Sequence, residues 1–167
     1  MRIKKTDIRK ADFSDTSMLN FLIRQCFLDV ARRFGLTPEN FPEHPSNTTV
    51  EMVQKDLSNG LSFYIKIDRG IPSGCIGLEK ISEDVWDVVR LGVLPGRRKR
   101  GFGKELLEKA LLEARELGAK RVSASIIAED TDLKQWYEKS GFVETETRNF
   151  RYHPFQLTVL EYSVRPL

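Results

Sequence analysis

Cysteine is scarce in this chain. Cys26 and Cys75 are the two, far apart and each among apolar neighbours, and they read as buried free thiols rather than a disulfide framework. No apolar run approaches the ~18 residues of a membrane span, which argues against a transmembrane helix. Behind Met1-Arg2-Ile3-Lys4-Lys5 there is no apolar signal region, so the expected location is the cytoplasm. Charge of one sign is also missing: the net charge is +3, too mild to argue for nucleic acid, and the basic residues gather in one short stretch instead. Repeats, low-complexity tracts and linkers are absent. The 167 residues, 40% apolar and 31% charged, therefore fit one domain, 1–167, with a real core.

What is present centres on Val93-Leu94-Pro95-Gly96-Arg97-Arg98-Lys99-Arg100-Gly101-Phe102-Gly103-Lys104. A β-rich run, Val85 to Val93, leads in, and an amphipathic helix, roughly Gly103 to Leu117, leads out. Glycines let the backbone turn and approach a ligand closely. The first turn of a helix leaves N–H groups unpaired at its positive end, which suits a phosphate. Strand, basic Gly-x-Gly turn and helix together read as an anion cradle. It lacks the Gly-Lys-Ser/Thr ending of a P-loop and the third glycine of the dinucleotide fingerprint.

The rest of the chain alternates in a regular way. A first strand is expected over Lys5 to Ala11, with Ile3 and Ile8 as anchors, and a helix over Thr16 to Phe34, stopped at Gly35. A proline-braced loop, Leu36 to Asn47, and a short helix to Leu57 follow. Strands at Leu61–Ile67, Ile71–Ile81 and Val85–Val93, separated by tight turns, predict an antiparallel meander. The long helix and the strand Arg121 to Ala128 make a βαβ crossover and hence a parallel pair. A helix over Thr131 to Ser140 and strands at Phe142–Thr147 and Leu157–Val164, joined around Tyr152-His153-Pro154, complete the chain. The fold class is α+β: a mixed, mostly antiparallel central sheet with helices on both faces. The strand end near Leu157 to Val164 looks free to pair between subunits, so a homodimer is open.

Arg98-x-x-Gly101-x-Gly103 resembles the coenzyme A loop of the GNAT superfamily of general-control-type N-acetyltransferases, written Arg/Gln-x-x-Gly-x-Gly/Ala. Downstream, Trp136-Tyr137-Glu138-Lys139-Ser140-Gly141-Phe142 is similar to the family's Leu-Tyr-x-Lys-x-Gly-Phe, in the expected order. The resemblance covers most of the chain and is weakest from Phe13 to Gly60. It implies a GNAT-like fold and a direct transfer from acetyl-CoA to a primary amine of a small molecule or peptide, with no metal. Pyrophosphate would sit on the backbone of Arg98 to Lys104, with Lys99, Arg100 and Lys104 adding charge around Gly101, Phe102 and Gly103. The pantetheine arm would pair with Leu91, Gly92 and Val93, where parallel strands splay in the family. Tyr137 would protonate the leaving thiolate.

The resemblance departs at Asp130, seven residues before Tyr137, where many members carry an Asn that contacts the coenzyme. An Asp cannot donate as an amide does, so here it reads equally as a helix cap. Asp87 stands where some members place a general-base Glu; Ser125 stands where others place one and cannot serve; Glu79 and His44 are further candidates. Thr37, Asn40, Phe41 and His44 of the proline-rich loop either line the acceptor pocket or form a surface loop. Two other readings stay open. One is a coenzyme A-binding module with little turnover. The other is a nucleic-acid binder using Arg97 to Arg100, which the compactness of that cluster disfavours.

Overall fold

The computed structural model describes residues 7–149 and 153–166. The expected start of the first strand at Lys5, its anchor Ile3 and the connecting residue Tyr152 lie outside them. In chain order the elements are β1 (Ile8–Lys10), α1 (Thr16–Arg33), α2 (Val50–Ser58), β2 (Ser62–Asp68), β3 (Ile71–Lys80), β4 (Val85–Val93), α3 (Phe102–Glu116), β5 (Arg121–Ile127), α4 (Thr131–Lys139), β6 (Val143–Asn149) and β7 (Gln156–Ser163). The described strands form one sheet ordered β1-β2-β3-β4-β5-β7-β6. Every neighbouring pair is antiparallel except β4–β5, the pair that α3 crosses.

Period-two alternation along β2 and β3 feeds two cores. Phe63, Ile65 and Cys75 point to one face and bury Leu19, Leu22 and Ile23 of α1 and Val53 of α2. Tyr64, Ile76 and Leu78 point to the other and bury Leu106, Leu107 and Ala110 of α3, in a cluster that also takes in Tyr137 of α4. Apolar residues of α3 recur at helical spacing, which is why that helix can lie along the sheet with its charged side in water.

One expectation is corrected. The strand at Gln156–Ser163 is not a free edge: β7 is paired with β5 on one side and β6 on the other. Pairing between subunits through the Leu157 to Val164 backbone is therefore closed off, because the chain's own β6 already takes those hydrogen bonds. Among the described residues, no helix is long and apolar enough to cross a membrane.

Candidate active site

The site begins where the one parallel pair comes apart. β4 and β5 are in register only at Val85–Arg121, Trp86–Val122 and Asp87–Ser123. Beyond Asp87 the strands separate. On the other side of β4 the register to β3 also shifts: Cys75 faces Gly92 and Gly77 faces Val89, so Arg90 and Leu91 together stand opposite Ile76. This is a β-bulge, and Arg90 carries it at φ 51°, an uncommon conformation for a residue with a side chain. Its guanidinium is held by the carboxylate of Asp56 on α2. The bulge turns Leu91, Gly92 and Val93 along a cleft that β5 no longer covers.

One end of the cleft is a groove of about 680 Å³, bordered by Gly92, Val93, Lys99, Gly101, Gly103 and Lys104 among others. Gly101 precedes the first residue of α3 at φ 82° and has no side chain to cap the helix. By helix geometry the N–H groups of the first turn are left for a ligand. A Cβ at Gly103 would meet only Trp136 at 3.5 Å and Val93 at 3.9 Å, ordinary contacts, so the packing of the protein does not itself demand glycine there. What its absence keeps open is the groove, and the residues present fit a pyrophosphate-bearing ligand.

The basic residues divide. Lys99 and Lys104 border the groove. Arg98 borders it as well, but its guanidinium is already engaged: it reaches Asp29 at 2.5 and 3.2 Å and donates to the carbonyls of Val93 and Cys26, each at 3.0 Å. Arg97 and Arg100 share Asp68 at 2.6 and 3.4 Å, and Arg100 does not border the groove. Arg100 is thus tied to the β2–β3 turn. Phe102 is buried beneath the Lys66 ammonium, which lies 4.8 Å from its ring centre.

The other end of the cleft is a cavity of about 400 Å³. Asp87 and Tyr137 both face it. Asp87 accepts a hydrogen bond from Ser123 Oγ at 2.9 Å. Burial, helped by the nearby Glu79 and opposed by that hydrogen bond, pushes its carboxyl up to about 6. Tyr137 is 5% exposed and packed edge-on against Trp136 and Phe142, with ring centres at 5.0 and 5.1 Å. Burial and the Asp87 charge push its phenol well above the usual range, so it keeps its proton. Phe27, Val30, Leu91, Asp130 and Leu133 border both the groove and the cavity, which makes them one continuous cleft.

Asp130 is fixed at the junction. It accepts from the Leu133 N–H at 3.3 Å as the cap of α4 and pairs with Arg33 at 2.7 Å. The proline-rich loop contributes Phe41 and His44 to the cavity. His44 Nδ1 lies 2.7 Å from Ser46 Oγ, and burial lowers its pKa to about 4, so the ring is neutral at ordinary pH. Thr37 and Asn40 bond to each other's backbone N–H instead and brace the loop. Phe27, Arg90, His153 and Phe155 also border the cavity, and sequence reasoning did not single them out. An arginine flanked by Val88, Val89, Leu91 and Val93 is the one signal that could have drawn attention to Arg90.

Residues 23–142 match the acetyltransferase (GNAT) family, and the chain belongs to it. Its fold is also that of solved structures at low identity. PaiA N-acetyltransferase of Thermoplasma acidophilum in complex with coenzyme A gives a TM-score of 0.76 at 19% identity, over 95% of this chain and 99% of that one. yncA of Salmonella typhimurium with its cofactor acetyl-CoA gives 0.72 at 16%, over 98% and 96%. A shorter sequence match, 38% identical over 58 residues or 35% of this chain, is to tRNA(Met) cytidine acetyltransferase TmcA 2 of Saccharolobus solfataricus. The match spans 7% of that protein's length.

Proposed function

We propose that the protein is an acetyl-CoA-dependent N-acetyltransferase acting directly on a primary amine of a small molecule or peptide in a ternary complex. The observation that carries this reading is the continuous cleft, with the start of α3 at one end and Asp87 with Tyr137 at the other. Bound acetyl-CoA would supply a thioester whose carbonyl carbon takes the amine and whose sulfur leaves. The backbone of Gly101 to Lys104, with Lys99 and Lys104, would hold the pyrophosphate, and Leu91 to Val93 would pair with the pantetheine arm. Asp87, with its carboxyl near 6, is the base that takes the proton of an arriving ammonium. Tyr137 keeps its proton for the sulfur. Asp130 borders the arm's path and acts through the cap it gives α4.

An RNA acceptor, such as the name of the shorter match would suggest, is not part of this reading. Arg97, Arg98 and Arg100 are engaged by Asp68 and Asp29, which leaves little of the basic turn for a nucleic-acid backbone. Two free, buried thiols suit a reducing compartment, and the cytoplasm is the location this reading carries.

The test is thermal unfolding with and without acetyl-CoA, beside a Gly103→Glu variant. At 100 times its dissociation constant the ligand stabilises by about 2.7 kcal/mol. A shift in the wild type that the variant loses, followed by thiol release with a panel of amines, supports the enzyme. A shift without turnover leaves the coenzyme A-binding module. No shift at millimolar acetyl-CoA overturns both.

A further inference from the structure

The cavity at the Asp87 end has a composition of its own. At about 400 Å³ it lies toward the small end of ligand sites, which run from about 300 to 1,000 Å³, and it suits a small molecule taken whole. Part of its lining is aromatic. Phe41 packs edge-on against Phe155 with ring centres at 5.2 Å and against His153 at 4.7 Å, while His44 packs edge-on against Phe27 at 5.9 Å.

Another part of the lining is acidic. Glu79 and Asp87 stand directly across from one another on β3 and β4, so their side chains share a face. Like charges in that position repel. The charged residues bordering the cavity are Asp56, Glu79, Asp87, Asp130 and Arg90. The guanidinium of Arg90 is already held by Asp56, and Asp130 is held by Arg33. Among the described lining residues, no guanidinium or ammonium is therefore left over to receive an anion, while Glu79 and Asp87 face each other without a cation between them.

We propose that the acceptor is a primary amine carried on an apolar body of aromatic size and free of carboxylate or phosphate groups. This rests on the acetyltransferase reading above. The ammonium relieves the repulsion between Glu79 and Asp87 on its way to losing a proton. The ring faces of Phe41 and Phe155 take the apolar body and attract the cation as it enters. A carboxylate beside the amine, as in a free amino acid, meets Glu79 and Asp87 with no guanidinium or ammonium of the described lining to offset it. A long polycation leaves the aromatic wall unfilled.

The experiment is a matched pair. Thiol release from acetyl-CoA is measured with 2-phenylethylamine and with phenylalanine, which share ring and amine and differ in the carboxylate, and with spermidine and a short peptide. The repelled carboxylate gives phenylethylamine a kcat/KM at least about a hundredfold above phenylalanine. Glu79→Gln, on an exposed strand position, raises KM for phenylethylamine several-fold and leaves KM for acetyl-CoA unchanged. Phe41→Leu raises KM for phenylethylamine and not for spermidine. Calorimetric titration of phenylethylamine into the coenzyme A complex reads binding apart from turnover. If acetyl-CoA binds but phenylalanine, spermidine or the peptide is the better acceptor, or phenylethylamine neither binds nor reacts, the substrate assignment falls and the acetyltransferase reading stands. If acetyl-CoA itself does not bind, both fall.

Discussion

Arg98 closes on Asp29 at 2.5 and 3.2 Å, and the same guanidinium takes the carbonyls of Val93 and Cys26 at 3.0 Å each. One side chain thus joins the end of β4, the glycine-rich turn and the C-terminal half of α1. In a phosphate-binding turn an arginine would be expected to point at the ligand. Here its fork holds the groove's two walls together, and a lysine could not reproduce that geometry.

Arg98→Ala is therefore expected to act first on stability. The ion pair is partly exposed and contributes little by itself, and the two carbonyl bonds bring the total loss to about 1–2 kcal/mol in urea unfolding. Arg98→Lys should recover less than half of it. Acetyl-CoA affinity should fall in both variants and recover in high concentrations of a stabilising osmolyte. A variant with native stability and lost affinity would instead assign Arg98 directly to the ligand.

Asp87 gives a pH dependence with a definite sign. Its folded pKa of about 6 lies above the ordinary carboxyl value because it is buried. A raised folded value means the folded state binds the extra proton, so the contribution to stability is fully present below the unfolded pKa and is lost as pH rises through about 6. Asp87→Asn should therefore melt higher than wild type at pH 8, by roughly 2 kcal/mol, and no higher at pH 3.5. The same variant should lower kcat/KM by about a hundredfold or more and remove its acidic limb. Ser123→Ala, which deletes the bond favouring the charged form, should move that limb upward.

The glycine-rich turn, the crossover helix and the helix that carries Tyr137 were legible because each is written in local sequence: a turn with two glycines, apolar residues at helical spacing, a cap before a short helix. Asp87 came into view only through the family resemblance, as one candidate beside Glu79 and His44. The rest depends on partners distant in the chain. Nothing in Val88-Val89-Arg90-Leu91 announces a bulge, since Arg90 is held at positive φ by Asp56 from another helix. The engagement of Arg98 depends on Asp29, and that of Arg100 on Asp68, residues that sequence order does not bring near. The insertion of β7 between β5 and β6 could not be told from an edge position by alternation alone. The aromatic wall joins Phe27, Phe41 and Phe155, which no local period connects.

His44 should behave as a neutral ring. Burial lowers its pKa to about 4, below the ordinary histidine value. A lowered value in the folded state means stability is lost as pH falls, beginning near the unfolded pKa of about 6.5 and ending near 4. Proton NMR of the ring should show no titration between pH 5.5 and 8, and His44→Gln should flatten the acid side of the stability profile. A midpoint near 6.5 would mean the ring is solvated and not part of the cavity wall.

Gly92 and Gly103 border the same groove for different reasons, and the simplest substitution separates them. A Cβ at Gly92 would sit 2.5 Å from Cys26 Cβ and 3.2 Å from both Cys26 Sγ and Phe27 Cε2, so α1 must move away from β4 to admit it. Overpacking of this kind costs about 1–3 kcal/mol, and Gly92→Ala should lose that much in urea unfolding whether or not a ligand is present. A Cβ at Gly103 meets nothing closer than 3.5 Å, within the first turn of a helix that favours alanine over glycine. Gly103→Ala should therefore keep or slightly raise stability while weakening acetyl-CoA binding about tenfold, the cost of a methyl group placed where the ligand backbone must approach. Equal loss of stability in both variants would show that Gly103, like Gly92, serves the packing of the protein, and the start of α3 would no longer stand as the cradle.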